Sequence, residues 1–189
     1  INDIHGTGPA DVWAVTKGGT AIHWNGAAWM LHELTPKFAL EGVWAASASD
    51  VWAVGRGVHR WDGSTWAADA GNTSAITQPV NAIWGSGPND VWTVGDFSSV
   101  ARFNGSIWTS VQNAAPLLSR LQSIRGRNAN DVHLVGSGGA FSSFNGTAWT
   151  IHTGFGGGWI YAVWPAAAND IWVLGAGQAA RWDGMTRTS

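Results

Sequence analysis

The 189-residue chain contains no cysteine, so neither a disulfide framework nor a thiolate metal site can form. Charged residues make up only 12% of it, the net charge is −2, and no basic stripe could follow a phosphate backbone. No apolar run approaches the roughly 18 residues of a membrane span. These absences predict a protein with no nucleic-acid partner and no membrane span.

Sequence signatures of metal, cofactor or acyl-transfer chemistry are also missing. The six histidines show no metal-ligand spacing such as H-E-x-x-H. Neither a G-x-S-x-G nucleophile turn nor a glycine-rich phosphate loop occurs. We therefore expect no metal and no cofactor.

Glycine and tryptophan are unusually abundant, with 26 and 15 residues. A motif that reads Asp-Val-Trp recurs five times, with His in place of Trp once and Ile in place of Val once. Its first residues are Asp11, Asp50, Asp90, Asp131 and Asp170, which are spaced by 39, 40, 41 and 39 residues. A fixed period in this range is typical of repeat architectures.

Each repeat contains four short apolar segments separated by turn residues, which we label strands a to d. An Asn-Gly or Asp-Gly pair between aromatic residues predicts the hairpin between strands c and d, and no segment shows the helical period. Four antiparallel strands per repeat predict an all-β, five-bladed β-propeller, in which radial stacking buries both faces of each sheet. The single domain 1–189 then consists of blades at about 1–39, 40–79, 80–120, 121–159 and 160–189.

The c–d hairpins carry a family resemblance. They read HWNGAAW (23–29), RWDGSTW (60–66), RFNGSIW (102–108), SFNGTAW (143–149) and RWDG (181–184). They resemble the Asp-box (BNR) repeats of bacterial propellers, although the turn is one residue tighter and most copies lack the leading Ser or Thr. The whole repeat also resembles tandem units of bacterial exported and cell-surface proteins and of photosystem assembly-factor propellers. The resemblance implies a propeller and an extracellular, cell-surface or periplasmic location, but propellers host lectins, scaffolds and enzymes alike.

The two faces of such a propeller differ in how strongly the repeats agree. The a–b and c–d turns form one face and are nearly the same in all five repeats, so we call it the invariant face. The b–c turns and d–a connections form the other, the variable face, and differ from TKGGT (16–20) to GSGGA (136–140). Loops that vary on a rigid scaffold usually carry binding, so we expect a ligand on the variable face or between the blades beneath it.

The repeated acidic and amide residues have a structural interpretation. The five Asp residues of the repeated motif lie in separate turns, too far apart to share an ion, and are expected to accept backbone N–H bonds in the a–b turns. The c–d hairpins hold Asn25, Asp62, Asn104, Asn145 and Asp183. Turn geometry tolerates this exchange of Asp and Asn, whereas a calcium site would not.

The residues that face the axis argue against an enzyme. The first polar position of strand a holds Asn2, Glu41, Asn81, Gln122 and Tyr161, of which only one is acidic. A glycosidase on this fold needs two or three carboxylates that converge on the axis. We therefore expect no catalysis.

Two sets of repeated positions are candidates for ligand binding. Strand a carries His5, Trp44, Trp84, Arg125 and Trp164, and strand c carries His23, Arg60, Arg102, Ser143 and Arg181. Their ordinary interpretations are Trp wedges between blades for strand a, and solvated or ion-paired positions for strand c. The alternative is that the indoles stack on sugar rings and the cations contact anions or hydroxyl groups. The predicted ligand-binding residues are Trp44, Trp84, Trp164, His5, Arg125, Arg60, Arg102 and Arg181.

The favoured function is a non-catalytic, lectin-like module that binds carbohydrate in clefts between blades. The alternative is a protein–protein interaction scaffold, such as the propeller piece of a larger bacterial surface protein, and a third reading is a propeller without a ligand. We expect a monomer, with self-association through an exposed strand edge as the alternative.

The fifth repeat is shorter than the others. Strands a to c are expected at 160–164, 171–174 and 179–182, which leaves only 185–189 for strand d, with Arg187 in the place of the strand-d Trp. Ile1 already begins strand a of the first blade, so the N-terminus cannot supply the missing strand. We expect a ring closed by face-to-face packing of blade five on blade one, and a short, frayed fourth strand that leaves the strand-c edge open to another chain.

Overall fold

Five β-sheets dominate the computed structural model, which describes residues 1–69, 73–175 and 177–188. Each sheet has four antiparallel strands that lie side by side in chain order. The predicted all-β, five-bladed β-propeller is confirmed. Two 3-10 turns, Asp96–Ser98 and Ser137–Gly139, interrupt it, and no helix within the described ranges is long and apolar enough to cross a membrane.

Strands a to d of each blade have the following bounds. Blade one contains β1 (Asp3–Gly8), β2 (Asp11–Val15), β3 (Thr20–Trp24) and β4 (Trp29–Glu33). Blade two contains β5 (Leu40–Ser47), β6 (Asp50–Gly55), β7 (Val58–Trp61) and β8 (Trp66–Ala68). Blade three contains β9 (Val80–Gly87), β10 (Asp90–Gly95), β11 (Val100–Phe103) and β12 (Trp108–Ser110). Blade four contains β13 (Leu121–Asn128), β14 (Asp131–Gly136), β15 (Phe141–Phe144) and β16 (Trp149–His152). Blade five contains β17 (Ile160–Ala167), β18 (Asp170–Gly175), β19 (Gln178–Trp182) and β20 (Arg187–Thr188).

The c–d hairpins close through local hydrogen bonds, as the Asp/Asn-Gly pattern predicted. In each one the Asp or Asn side chain accepts the backbone N–H groups of the two residues that follow the glycine, as Asn25 does from Ala27 and Ala28 at 3.0 Å. The glycine itself has a positive φ, for example 90° at Gly26. Backbone donors, led by Thr65 N–H, hold the pKa of Asp62 down to about 2, because they favour the charged carboxylate.

The hydrophobic core lies between the blades. The indole of Trp52 on β6 is buried, and its ring centre lies 5.0 Å from that of Phe103 and 5.5 Å from that of Trp108, both on blade three. Burying an aromatic side chain of this size contributes about 1.5–3 kcal/mol. Each blade is therefore held mainly by the next one.

The b–c turns and d–a connections meet on one face, as predicted for the variable face. Backbone hydrogen bonds join them, such as Leu40 N–H to the Thr16 carbonyl at 3.1 Å and Ser137 N–H to the Arg120 carbonyl at 2.9 Å. On the invariant face each hairpin glycine lies against the a–b turn of its own blade, as Gly26 does against Ala10.

The expected packing of blade five on blade one is wrong. Within the described ranges, no packing interface like those between successive blades joins these two blades. The side chain of Trp172 is 46% exposed and that of Leu174 is 52% exposed, whereas their counterparts Trp52 and Val54 are fully buried. On blade one, Ile4 is 57% exposed. The five blades therefore form an arc whose two ends, blades five and one, do not pack on each other.

The fourth strand of blade five is present but short, as predicted. β20 has two residues, which pair with Arg181 and Trp182 of β19. Ser189, which belonged to the predicted tail, lies outside the described residues.

Candidate functional site

The inner strands of all five blades begin around a polar cavity on the variable face, which we call the axial pocket. It has a volume of about 440 Å³. Its polar lining consists of Asn2, Asp3, Lys17, Glu41, Asn81, Gln122, Ser123, Arg125 and Tyr161. The residues that sequence analysis placed at the first polar position of strand a are therefore brought together here, along with Arg125.

Amide side chains tie neighbouring blades together in the wall of the axial pocket. Asn2 Nδ2 donates to the Leu40 carbonyl at 2.7 Å and to Glu41 Oε2 at 3.1 Å. Asn81 Nδ2 donates to the Leu121 carbonyl and to Asp96 Oδ1, both at 2.9 Å. These bonds hold the pocket's rim in a defined shape.

The charged groups of the axial pocket are of both signs. Asp3 accepts the N–H groups of Ile4 at 2.9 Å and Val43 at 3.0 Å, one on each carboxylate oxygen, and Arg125 Nη2 lies 3.9 Å from Asp3 Oδ1. The same guanidinium donates to the Ile124 carbonyl at 2.9 Å. Lys17, on the b–c turn of blade one, makes no ion pair within the described part of the chain. The pocket therefore combines an exposed cation, Lys17, with a carboxylate that the backbone of two blades holds in place.

A second cavity of about 270 Å³ adjoins the axial pocket, and Glu41 and Asn81 line both. We call it the side pocket. Arg56 and the ion pair between Arg120 Nε and Asp96 Oδ1, 3.1 Å apart, supply its charged lining. Together the two cavities form a polar groove along the variable face.

An aromatic platform borders the axial pocket on blade five. The rings of Trp159 and Tyr161 are nearly parallel, at 8°, with centres 6.2 Å apart, and both side chains are exposed. Sequence analysis placed Tyr161 on the axis but assigned no role to Trp159. The available signal was its position directly after the glycine-rich d–a connection of blade four.

Three of the predicted ligand-binding residues of strand a, Trp44, Trp84 and His5, lie inside blade interfaces, whereas Arg125 lines the axial pocket. Trp44 is 5% exposed and its indole packs over Gly85 of the next blade, so it presents no free ring face. Trp84 packs in the same way over Gly126. His5 Nδ1 accepts the Ala45 N–H at 3.1 Å, and burial, with Arg125 nearby, lowers the pKa of His5. These residues follow the wedge interpretation. Ligand contact by any of them stays a prediction.

Trp164 differs from the other two strand-a tryptophans. It is 66% exposed, since blade five has no following blade to cover it.

The predicted strand-c cations bind the repeated Asp residues. Arg60 Nε donates to Asp50 Oδ1 at 2.8 Å and its guanidinium lies 4.4 Å from the Trp52 ring centre, and Arg102, Asp90 and Trp92 repeat this arrangement at 2.7 and 4.6 Å. Arg181 donates to Asp170, and His23 bonds to Asp11 and stacks on Trp13. We call this arrangement the clamp. It corrects the expectation that these carboxylates accept backbone N–H groups in the a–b turns. In the described chain four of them bind strand c, whereas Asp131 binds His133 of strand b and Arg127 of strand a.

Blade four builds the clamp from different residues. His133 takes the place of the motif Trp and Ser143 that of the strand-c cation. Asp131 Oδ1 lies 2.7 Å from His133 Nε2, and Ser143 Oγ lies 2.7 Å from His133 Nδ1 and 2.9 Å from His152 Nε2. Burial lowers the pKa of His133, although Asp131 opposes the shift. The row of contacts from Asp131 through His133 to Ser143 thus results from the exchange of two clamp residues. These three side chains line a cavity of about 450 Å³ that extends to blade five.

No three His, Asp or Glu side chains within the described ranges are arranged to hold a metal ion. In the same ranges, imidazoles contact carboxylates only in the pairs His23–Asp11 and His133–Asp131.

The fold has many relatives among solved structures, although no protein-family model and no curated protein matches the chain. The structure of YCF48 bound to D1 peptide has a TM-score of 0.68 at 15% identity, over 96% of this chain and 63% of that one. The extracellular domain of BT3049 from B. thetaiotaomicron, described as a hybrid two-component system, has a TM-score of 0.77 at 13% identity, over 98% and 29%. The designed protein Ika8 has a TM-score of 0.72 at 17% identity, over 93% and 56%.

These structural similarities confirm the propeller class, and at this low sequence identity they show the fold only. In each case this chain spans less than two thirds of the protein that it matches. The chain is a β-propeller module, a fold that does not by itself specify a function.

Proposed function

We propose that the chain is a non-catalytic module that binds an extended peptide segment of a partner protein along the axial pocket and the side pocket. The observation that carries this proposal is the polar groove on the variable face, whose lining combines Lys17, Asp3, Glu41 and Arg125 with the exposed ring of Tyr161. A peptide offers both backbone donors and acceptors and side chains of either charge, so a groove of mixed charge suits it.

Tyr161 and Lys17 are the side chains best placed to contact such a peptide. Both are exposed at the rim, whereas Asp3 and Asn81 already use their polar atoms to bind neighbouring blades. Tyrosine is enriched among the residues that dominate binding energy at protein interfaces. The structure of the similar propeller YCF48 bound to D1 peptide supports the proposal, because it shows that this fold can bind a peptide.

Selection from a displayed peptide library on the immobilised chain tests the proposal. We expect a consensus sequence whose binding weakens roughly tenfold or more in Tyr161→Ala and in Lys17→Glu. Ile107→Ala is the matched control, because Ile107 is an exposed apolar residue in a c–d hairpin of the invariant face, and it should bind as the parent does. Failure to enrich any consensus, or equal binding by all variants, would contradict the proposal.

A carbohydrate ligand is the second candidate, and the Trp159–Tyr161 platform favours it. Two exposed, nearly parallel rings beside a polar pocket can stack on a sugar ring, whereas the Trp44 indole is covered by blade three. A glycan array probed with the parent and with Trp159→Ala distinguishes the candidates. A glycan signal that Trp159→Ala abolishes would favour a lectin, and an array without signal would leave the peptide as the ligand.

We also propose an extracellular, cell-surface or periplasmic location. The resemblance of the repeats to those of exported bacterial proteins supports it, and so does the fold likeness to extracellular domains such as that of BT3049.

A further inference from the structure

The first three interfaces between successive blades share one arrangement of aromatic rings. The motif Trp of each blade packs against a pair of rings on the next blade, one from strand c and one from strand d. Trp13 meets Trp61 and Trp66, both at 5.3 Å between ring centres, and Trp52 and Trp92 repeat this on blades three and four. We call the two receiving rings the receptor pair.

Blade one carries a receptor pair that no motif Trp occupies. The rings of Trp24 and Trp29 lie 5.7 Å apart at 47°, which matches Trp61 and Trp66 at 5.8 Å and 45°. Trp29 is exposed. Blade five presents the matching group, a motif Trp without a receptor pair, since the side chain of Trp172 is 46% exposed. The two ends of the arc therefore have complementary aromatic surfaces.

A second position shows the same complementarity through residue size. Where strand a carries Trp, the next blade has glycine one position further along, and a Cβ there would lie 2.7 Å from Trp44 at Gly85 and 2.5 Å from Trp84 at Gly126. Where strand a carries His5 or Arg125, the next blade has Ala45 or Pro165 instead. A blade that packs against Trp164 of blade five should therefore have glycine at the equivalent position, and blade one has Gly6 there. The three atoms nearest to a Cβ at Gly6 all belong to its own blade, at Asp11 and Val12, and none is an indole atom.

We infer that the open face of blade five binds blade one of a second copy of this chain, head to tail. Trp172 enters the receptor pair Trp24–Trp29, Trp164 covers Gly6, and Leu174 covers Ile4. In each of the four existing interfaces the counterparts of Leu174 and Ile4 share a buried cluster, as Val54 and Ile83 do. The proposed contact therefore continues an interface that the molecule already forms four times.

A second copy fits better than closure within one chain. In a single molecule, blades five and one share no packing interface within the described ranges, and Ile4, Trp164 and Trp172 are exposed. An exposed apolar surface of this kind marks an interaction site. The contact is heterologous, because each copy uses a different face, so one copy can bind two others.

Complementary single-face variants test the inference in analytical ultracentrifugation. The parent should associate as its concentration rises from micromolar to millimolar. Ile4→Glu alters only the blade-one face and Trp164→Glu only the blade-five face, and both residues are exposed, so each variant should fold and stay monomeric, with association weakened roughly 100-fold or more. Mixed together, the two variants still have one intact pair of faces and should form a one-to-one heterodimer and nothing larger.

Two controls separate this from other forms of association. Ile107→Glu places the same charge on an exposed residue of the invariant face and should associate as the parent does. Trp172→Glu provides a second blade-five variant and should also form the heterodimer with Ile4→Glu. The circular dichroism spectrum of every variant should match that of the parent.

Several outcomes would overturn the inference. A parent that stays monomeric at millimolar concentration would do so, and a loss of stability in Trp172→Ala as large as that in Trp52→Ala, measured on that monomer, would show closure within one chain. A mixture of the two variants that forms no heterodimer would exclude the head-to-tail contact. Association that Ile4→Glu and Trp164→Glu leave intact would place the interface elsewhere, for example at the strand edge of β19.

Discussion

Each strand-c arginine of blades two and three holds two groups of the preceding strand at once. Arg102 binds the Asp90 carboxylate through Nε and covers the face of Trp92 with its guanidinium plane. A cation over an indole is worth about 0.5–1 kcal/mol at an exposed site, and a bond to a charged group about 1.5–3 kcal/mol when buried. The clamp explains why Asp and Trp recur together in the motif: both are contacted by the same side chain.

At the residue scale, the motif tryptophans should differ in stability according to their burial. Trp52→Ala and Trp92→Ala should each lower the free energy of unfolding by about 3–5 kcal/mol, because each empties an aromatic site between two blades. Trp172→Ala occupies the same motif position on the open face and should cost about 1 kcal/mol or less. Urea denaturation at micromolar chain concentration measures all three. Equal losses would mean that Trp172 is covered in solution.

The clamp itself should show coupling between its two charged members. Asp90→Ala should lower stability by about 1–3 kcal/mol, because it leaves the Arg102 guanidinium without its carboxylate. In a double-mutant cycle with Arg102→Ala, the second substitution should then cost less than it does in the parent. Strictly additive losses would show that the two side chains do not stabilise each other.

Acid should weaken the fold through the buried imidazole of His59. Burial lowers its pKa below the ordinary 6.5, more than its bond to the Pro36 carbonyl raises it. The unfolded chain therefore takes up a proton near pH 6.5 that the folded chain refuses, so stability falls as the pH drops below about 6.5. Between neutral pH and about pH 5.5, the urea concentration at the midpoint of unfolding should fall less in His59→Gln than in the parent. A pH dependence of stability that is the same in His59→Gln as in the parent would contradict this prediction. Part of the pH dependence should remain in the variant, because burial also lowers the pKa of His5, His32, His133 and His152.

At the element scale, blade five is the least supported sheet. Its outer strand has two residues, and its outward face lacks the neighbour that covers strand b in the other blades. A strand with few buried contacts opens more readily. The same features leave the β19 edge available to another chain, as the short fifth repeat indicated.

Hydrogen exchange should reveal this difference within one molecule. Amides of β18 and β19 should exchange faster than those of β10 and β11, which are the equivalent strands of blade three and are covered on both sides. The predicted segment runs from 171 to 189, and residues 176 and 189 of it lie outside the described ranges. Mass spectrometry at micromolar concentration gives the comparison, and uniform protection of the five blades would contradict it.

At the scale of the whole molecule, the blades converge on an axis that is polar but poor in acids. Asp3 and Glu41 both line the axial pocket, although the sequence pattern placed only Glu41 on the axis. Both carboxylate oxygens of Asp3 accept backbone N–H groups. Asp3 is therefore engaged by the backbone of blades one and two, which leaves Glu41 as the other carboxylate of the pocket.

The molecule should therefore not hydrolyse glycosides. Arabinan, xylan and sialoside substrates should show no turnover above buffer, because two carboxylates in acid and nucleophile or base roles are required. Glu41→Gln is the diagnostic variant. Turnover by the parent that this variant abolishes would overturn the prediction.

The sequence by itself determined the architecture. The Asp-x-Trp period, the Asp/Asn-Gly hairpins and the short fifth repeat encode five sheets, their turns and the two-residue β20, because these depend on contacts within a few residues along the chain. The sequence also predicted the ring of residues around the axis, because equivalent positions of the repeats must meet at one place. These residues are Asn2, Glu41, Asn81, Gln122 and Tyr161.

Only the tertiary structure decided which repeated residues remain available to a ligand. The partner of each motif Asp, the covering of Trp44 by blade three and the grouping of His133 with Ser143 depend on distances between strands and between blades, which no local pattern specifies. The open end of the arc is the clearest case. Whether blade five reaches blade one depends on the sum of four angles between blades, and each angle is set by the volume of the side chains wedged at that interface.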